Sequence, residues 1–273
     1  MKNLDINTDL AAEIISGFIK SETTRAGFSK AVIGVSGGVD SALSCFLAAR
    51  ALGGKNVLAV RMPYKTSSQA SLDHAQLVID KTGAQSMTIP ISDIADGLIN
   101  QFPDMSKVRQ GNIMARCRMI VLYDRSAAFN GLVVGTGNKT EILLGYSTVY
   151  GDSACAFNPI GDLYKTQVRQ LSRAVGVPDV IIDKAPTADL WAGQTDEGEL
   201  GFTYEEVDQL LYLLVDERYT PDECIQAEFD KKFVETVVKR IQRSHFKRIM
   251  PPIAKVSNRT IGYDFLYLRD WGT

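Results

Sequence analysis

The residues best placed to do chemistry begin at Ser36. The segment Ser36-Gly37-Gly38-Val39-Asp40-Ser41 follows a short apolar run, Ala31 to Val35, and precedes an apolar helical stretch from about Asp40 to Leu52. Adjacent glycines permit a tight turn with unobstructed backbone N–H groups, and the helix behind it directs its positive end at the same point. Such a nest suits a phosphate or pyrophosphate. Ser36 and Ser41 add hydroxyl donors, and Asp40 can hold the divalent ion that accompanies nucleotide phosphates. A turn with only a structural role is the plain alternative, which the flanking serines and the aspartate disfavour. The spacing is neither GxxxxGK nor GxGxxG, so a kinase or hydride-transfer reading has no local support.

A second polar anchor, Val133 to Glu141, also follows a short apolar run. In a parallel sheet both loops lie at the carboxyl edge, which lets Asp40 and Glu141 approach one metal. Glu141 serving only its helix N-terminus is the competing reading. Lys165 opens a further helix and can offset growing phosphate charge or simply face solvent. Arg116 can fork onto a phosphate or carboxylate or make an ordinary helix ion pair. Thr187 is a loop hydroxyl with either a binding or a capping role.

These residues need a scaffold, and the hydrophobic periodicity supplies one. Residues 6 to 19 have helical spacing, and Ala31 to Val35, Asn56 to Met62, Ser86 to Pro90 and Gly131 to Thr136 read as strands. Helices are expected to about Leu52, to about Thr82, over Ser106 to Phe129, from near Lys139, and over Lys165 to Val175. Strands alternating with helices at this pitch predict an α/β fold: three α/β/α layers around a parallel, Rossmann-like sheet. Ala185 to Gly201 reads as a long connection suited to a lid, and three helices follow, near 203 to 217, 221 to 229 and 231 to 246. The chain thus reads as one domain over 1–273 with a helical C-terminal portion from about 203.

Composition narrows the function classes. At 273 residues, 45% hydrophobic and 23% charged, the chain is long enough to bury a core without disulfides or a structural metal. A net charge of -2 argues against a global nucleic-acid-binding role. One local basic stretch, Lys231 to Met250, reads as a surface helix or a seat for anions. Cysteines 45, 117, 155 and 224 are too widely spaced for a zinc knuckle, and a reducing compartment fits them. No secretory signal is expected, and the apolar run Leu210 to Val215 is too short to span a membrane.

SGGVDS resembles the pyrophosphate loop of the N-type ATP pyrophosphatases, of the adenine nucleotide alpha hydrolase-like superfamily. With GNIMARCRM (111 to 119), GTGNKTEILLGY (135 to 146), YGD (150 to 152), NPIGDLYKTQVRQL (158 to 171) and APTADLW (185 to 191), the chain resembles ammonia-dependent NAD synthetases. That resemblance implies cytoplasmic homodimers that convert deamido-NAD, ATP and ammonia into NAD, AMP and pyrophosphate. It puts ATP on Gly34, Val35, Ser36, Gly37, Gly38, Val39, Asp40, Ser41, Thr136, Lys165 and Thr187, and Mg2+ on Asp40 and Glu141. Asp40, Glu141 and Lys165 become the catalytic set. Deamido-NAD falls to Arg116, Phe246 and Lys247, close to a dimer interface for which apolar helix faces between about 92 and 130 are candidates.

Three departures touch the acceptor. Val149 and Ala156 stand where a Lys and an Asp are frequent, and Phe246 replaces a frequent His. A glutamine-hydrolysing domain does not fit in this length, so free ammonia is the expected nitrogen source, unless a separate amidase supplies it. Another adenylating ligase of the superfamily and a nonenzymatic nucleotide-binding regulator are the rival functions.

Overall fold

The computed structural model describes residues 4–187 and 195–265, so the centre of the expected lid lies outside the described residues. Four parallel strands, β1 (Ala31–Gly34), β2 (Val57–Arg61), β3 (Gln85–Thr88) and β4 (Leu132–Val133), form a sheet in the order β3-β2-β1-β4. Ala31 pairs with both Val57 and Leu132, so the strands start level and their carboxyl ends open on one edge. The strand order reverses between β1 and β4, which makes that edge the place where a ligand fits between diverging loops. β4 is shorter than the expected 131 to 136 because Val134 bridges to Phe157 and the Gly135 amide donates to the Phe157 carbonyl, turning the chain toward the edge.

Alternation along the strands decides the layers. Ala31, Ile33, Val57 and Ala59 face one side, against helices α1 (Thr8–Arg25), α2 (Val39–Leu52), α3 (Gln69–Thr82), α7 (Lys165–Ala174) and α8 (Asp179–Ile182). Val32, Leu58 and Val60 face the other, against α4 (Ser92–Ile99) and α5 (Lys107–Phe129). This is the three-layer α/β/α arrangement, with strands buried on both faces as their apolar runs require. Edge strand β3 is short, polar and exposed, which blunts the open side of the sheet.

A third apolar cluster belongs to a helical lobe. It gathers α6 (Lys139–Leu144), α10 (Tyr204–Leu211), α11 (Pro221–Gln226) and α12 (Lys231–Arg243) around Tyr164, Tyr204, Leu210 and Val234. The expected helix near 203 to 217 divides: α10 gives way to a π-helical turn, Tyr212–Asp216. Residues 196 to 200, expected as connection, form a short helix, α9 (Asp196–Leu200), capped by Thr195. Among the described residues no helix is long and apolar enough to cross a membrane.

Candidate active site

The glycine turn joins β1 to α2. Gly37 has φ +81, and a Cβ there would lie 2.2 Å from the Ser71 carbonyl oxygen, so only glycine fits this backbone beside α3. The two serines hold the turn from within. The Ser36 amide donates to Ser41 Oγ (3.2 Å), Ser41 Oγ donates to the Gly38 carbonyl (3.0 Å), and the two hydroxyls are 3.1 Å apart. Gly38 occupies the N-cap of α2 with no side chain over the helix end, leaving the first-turn amides of a long, buried helix facing the cleft.

Beside the turn three charged side chains converge. Lys165 Nζ lies 2.5 Å from Asp40 Oδ2 and 3.2 Å from Glu141 Oε1. The lysine side chain is only 2% exposed, and its ammonium stands over the Tyr204 ring, 5.0 Å from the centroid. The solvent-facing reading of Lys165 is therefore excluded. Asn138 locks the arrangement: its Nδ2 donates to Asp40 Oδ1 (2.8 Å), its Oδ1 accepts from the Glu141 amide (2.9 Å), and its own amide donates to Glu141 Oε2 (3.3 Å). Glu141 thus does both things the sequence allowed. It closes the capping box of α6 and turns its other oxygen to Lys165.

The electrostatics follow from burial. Desolvation pushes the Glu141 carboxyl well above the usual carboxylate range, with Lys165 opposing and Asp40 and Asp196 adding to the rise. Desolvation pulls Lys165 down, but Asp40 and Glu141 outweigh it and the ammonium ends above its ordinary value. Lys165 is consequently a fixed cation rather than a proton donor.

A cleft of about 560 Å3 runs from this cluster along α5. Gly34, Val35, Ser36, Gly38, Val39, Asp40, Ser41, Thr136, Glu141, Lys165, Thr187 and Lys247 all line it; Gly37 supports the loop from behind. Arg116 and Phe246 are outside that lining in the single chain. Arg116 donates to the Val149 carbonyl (3.2 Å) and Phe246 is 63% exposed. Arg118, two positions on, does line the cleft and donates to the Met62 carbonyl (3.1 Å).

The basic stretch 231 to 250 divides: Lys231, Lys232, Lys239 and Arg243 lie on the exposed face of a surface helix, as expected, while the other three cations turn inward. Arg240 Nε donates to the Leu144 carbonyl (3.1 Å), Lys247 to those of Gly145 (2.7 Å) and Ser147 (2.5 Å), and Arg248 to that of Leu143 (2.8 Å). Three cations thereby satisfy carbonyls at the C-terminus of α6, where positive charge is favoured.

Sequence reasoning missed the wall opposite the turn. Asp196, 4% exposed, accepts from the hydroxyls of Tyr146 (3.1 Å) and Tyr204 (3.2 Å), and Tyr146 also donates to Glu199 (2.8 Å). No local pattern announces this group, because it is assembled across the lobe. Asn138 was legible, since Asn followed three positions later by Glu before an apolar run is a helix-start signature.

The donor set suits a hard divalent ion. Two carboxylates meet at one ammonium, a point where a cation already sits, and among the described residues no group of three or more His, Cys, Asp and Glu could hold a metal by itself, here or elsewhere, so the rest of the shell would come from the substrate. Magnesium is held this way, by one or two carboxylates with substrate phosphates completing the shell. Asp40 and Glu141 would hold it.

A parallel α/β sheet with a glycine turn, a carboxylate pair and a buried lysine at its switch point defines a nucleotide-binding protein equipped for phosphoryl-centred chemistry. Known proteins agree. The NAD synthase family model matches residues 11–251. An NH(3)-dependent NAD(+) synthetase of Trichlorobacter lovleyi is 57% identical over 272 residues, covering 100% of both chains. Among solved structures, the NH3-dependent NAD synthetase of Campylobacter jejuni shares 36% identity at a TM-score of 0.79, over 92% of this chain and 100% of that one. The NMN synthetase of Francisella tularensis shares 30% at a TM-score of 0.81, over 92% and 99%. The chain belongs to the NAD synthase family.

Proposed function

We propose that this chain is an ammonia-dependent NAD synthetase, which amidates deamido-NAD with ammonia at the expense of ATP and yields NAD, AMP and pyrophosphate. The observation that carries the reading is the convergence of Asp40 and Glu141 on Lys165 beside the open N–H nest of the glycine turn, in a chain of this family.

The chemistry has two stages. An ionised carboxylate resists attack by ammonia, so the pyridine carboxylate first attacks the α-phosphorus of ATP, expelling pyrophosphate. Ammonia then adds to the activated carbonyl and AMP leaves. The turn amides, with Ser36 and Ser41 behind them, hold the departing pyrophosphate. Lys165, fixed and dry, offsets charge on the phosphates. Magnesium on Asp40 and Glu141 would neutralise and template phosphate oxygens. No side-chain nucleophile is needed, and alignment supplies most of the rate.

Arg116, Phe246 and Lys247 are the proposed acceptor contacts; Lys247 lines the cleft, and with its ammonium on the Gly145 and Ser147 carbonyls it has one N–H left to give a ligand. We extend the proposal to a homodimer in the cytoplasm. Ile94, Leu98, Phe102, Val108 and Ile120 leave apolar surface exposed on and between α4 and α5, and the four cysteines are free thiols. Sedimentation at micromolar concentration should show a dimer in the active preparation; full activity from a monomer contradicts this part.

The structural likeness to an NMN synthetase gives a second acceptor, nicotinate mononucleotide, a concrete standing. Incubation with ATP, magnesium, ammonium and each nucleotide carboxylate, with amide, AMP and pyrophosphate measured together, should give equal amounts of all three from deamido-NAD. Turnover of the mononucleotide alone would move the assignment to that acceptor, and nucleotide binding without turnover would favour a regulator.

A further inference from the structure

One fully buried carboxylate takes no part in the chemistry above yet touches both helices that carry it. Asp208, on α10, has no exposed surface. Its Oδ1 accepts from Thr140 Oγ1 (2.5 Å) and its Oδ2 from the Thr166 amide (2.8 Å). Thr140 Oγ1 in turn accepts from the Lys165 amide (3.0 Å). Thr140 precedes Glu141 at the start of α6, and Thr166 follows Lys165 at the start of α7. One carboxylate therefore links two helix N-termini at the residues adjoining the two catalytic side chains, where negative charge is favoured by both helix ends.

The neighbouring π-helical turn continues the clamp. It brings Asp216 onto Lys139 (2.9 Å) and onto the Tyr164 hydroxyl. Two of the three catalytic residues thus adjoin positions held from the lobe: 139 and 140 beside Glu141, 164 and 166 beside Lys165. A π-turn inserted in a helix is frequent at functional sites, where it displaces the following side chains.

We propose that Asp208 is a positioning residue, which through Thr140 fixes the separation of Glu141 and Lys165 and so presents both to the ATP phosphates. The inference rests on the NAD synthetase reading for its reaction but not for its geometry. Asparagine at 208 keeps the shape, yet it can accept from only one of the two donors through its oxygen and turns an N–H toward the other. Thr140→Val removes the link without touching a charge, and Thr140→Ser retains it.

The test uses the full chain. Partners that orient functional groups from behind are typically worth about 10- to 100-fold. Asp208→Asn and Thr140→Val should each lower kcat for NAD formation at least about tenfold, with KM for deamido-NAD within about twofold, while Thr140→Ser stays within about twofold of wild type in kcat. Affinity for α,β-methylene-ATP with magnesium, measured calorimetrically without acceptor, should fall several-fold in Thr140→Val and return in Thr140→Ser. That second measurement is independent of the acceptor: a wild type that makes no NAD refutes the functional reading, whereas unchanged analogue affinity in Thr140→Val refutes the positioning role. Variants that melt earlier but keep kcat per folded molecule would make Asp208 a cap for stability only and overturn the proposal. If Asp208→Asn does not fold, the Thr140 pair decides.

Discussion

Lys165→Met should abolish most of the adenylation rate while leaving a folded protein. The methionine fills the same slot over Tyr204 but removes the fixed cation that faces the phosphates. Losing one preorganised electrostatic contact in a dry site costs on the order of 100- to 1000-fold in rate. The structural cost is more complicated. Breaking a buried ion pair by removing one partner costs about 3–5 kcal/mol when the other charge stays behind. Here Glu141 is already displaced toward its neutral form by burial, and Lys165 is the influence that opposes this. Without the ammonium, Glu141 takes up a proton and the penalty shrinks. Lys165→Arg should not rescue the rate, because a planar guanidinium does not fit a position 2% exposed between two carboxylates and a ring. Single-turnover pyrophosphate formation with ATP and deamido-NAD saturating reads the effect, and a Lys165→Met rate within tenfold of wild type would remove the lysine from the catalytic set.

The second large effect concerns the carboxylates. Asp40→Asn and Glu141→Gln should each lower adenylation at least roughly tenfold at limiting magnesium, the scale of one interaction worth about 1.4 kcal/mol. The two differ locally. Asp40 accepts from Asn138 with one oxygen and from Lys165 with the other, so its amide must present an N–H to one of these donors. Glutamine at 141 resembles the protonated carboxyl that burial favours, and the free protein should tolerate it better. In both variants raising magnesium should recover part of the rate. Rates close to wild type across the whole titration would take the metal away from this pair.

How far the sequence reached can be judged from particular residues. The turn, Asp40 and Glu141 were legible because each lies in the turn or the first helical residues that follow a strand, and parallel strands deliver such positions to one edge whatever else the chain does. Lys165 was ambiguous by itself: a helix-start lysine is buried only if something packs over it, and that cover, Tyr204, comes from a distant helix. Asp196 and Asp208 were illegible for the same reason, since the lobe's packing brings them in; Tyr146 closes the stretch 135 to 146, but nothing in that stretch says that its hydroxyl meets Asp196. On α5 the sequence offered several arginines and no way to choose among them. Gly111, Ala115, Arg118 and Leu122 recur at helical spacing along the cleft, and Arg116 is rotated off that stripe. The basic segment was legible in part: Lys231, Lys232, Lys239 and Arg243 stay on the exposed helix face, but the carbonyls at the end of α6 claim Arg240, Lys247 and Arg248.

In the proposed reaction the acceptor carboxylate attacks the α-phosphorus and is then released from AMP by ammonia. Deamido-NAD labelled with 18O in the pyridine carboxylate tests this directly. One carboxylate oxygen bridges carbon and phosphorus in the acyl-adenylate and stays with phosphorus when ammonia expels the nucleotide. Mass spectrometry should therefore find one 18O in each AMP formed, the other retained in the amide of NAD, and none in pyrophosphate. Label appearing in pyrophosphate or inorganic phosphate, with unlabelled AMP, would mean attack at another phosphorus and would contradict the account.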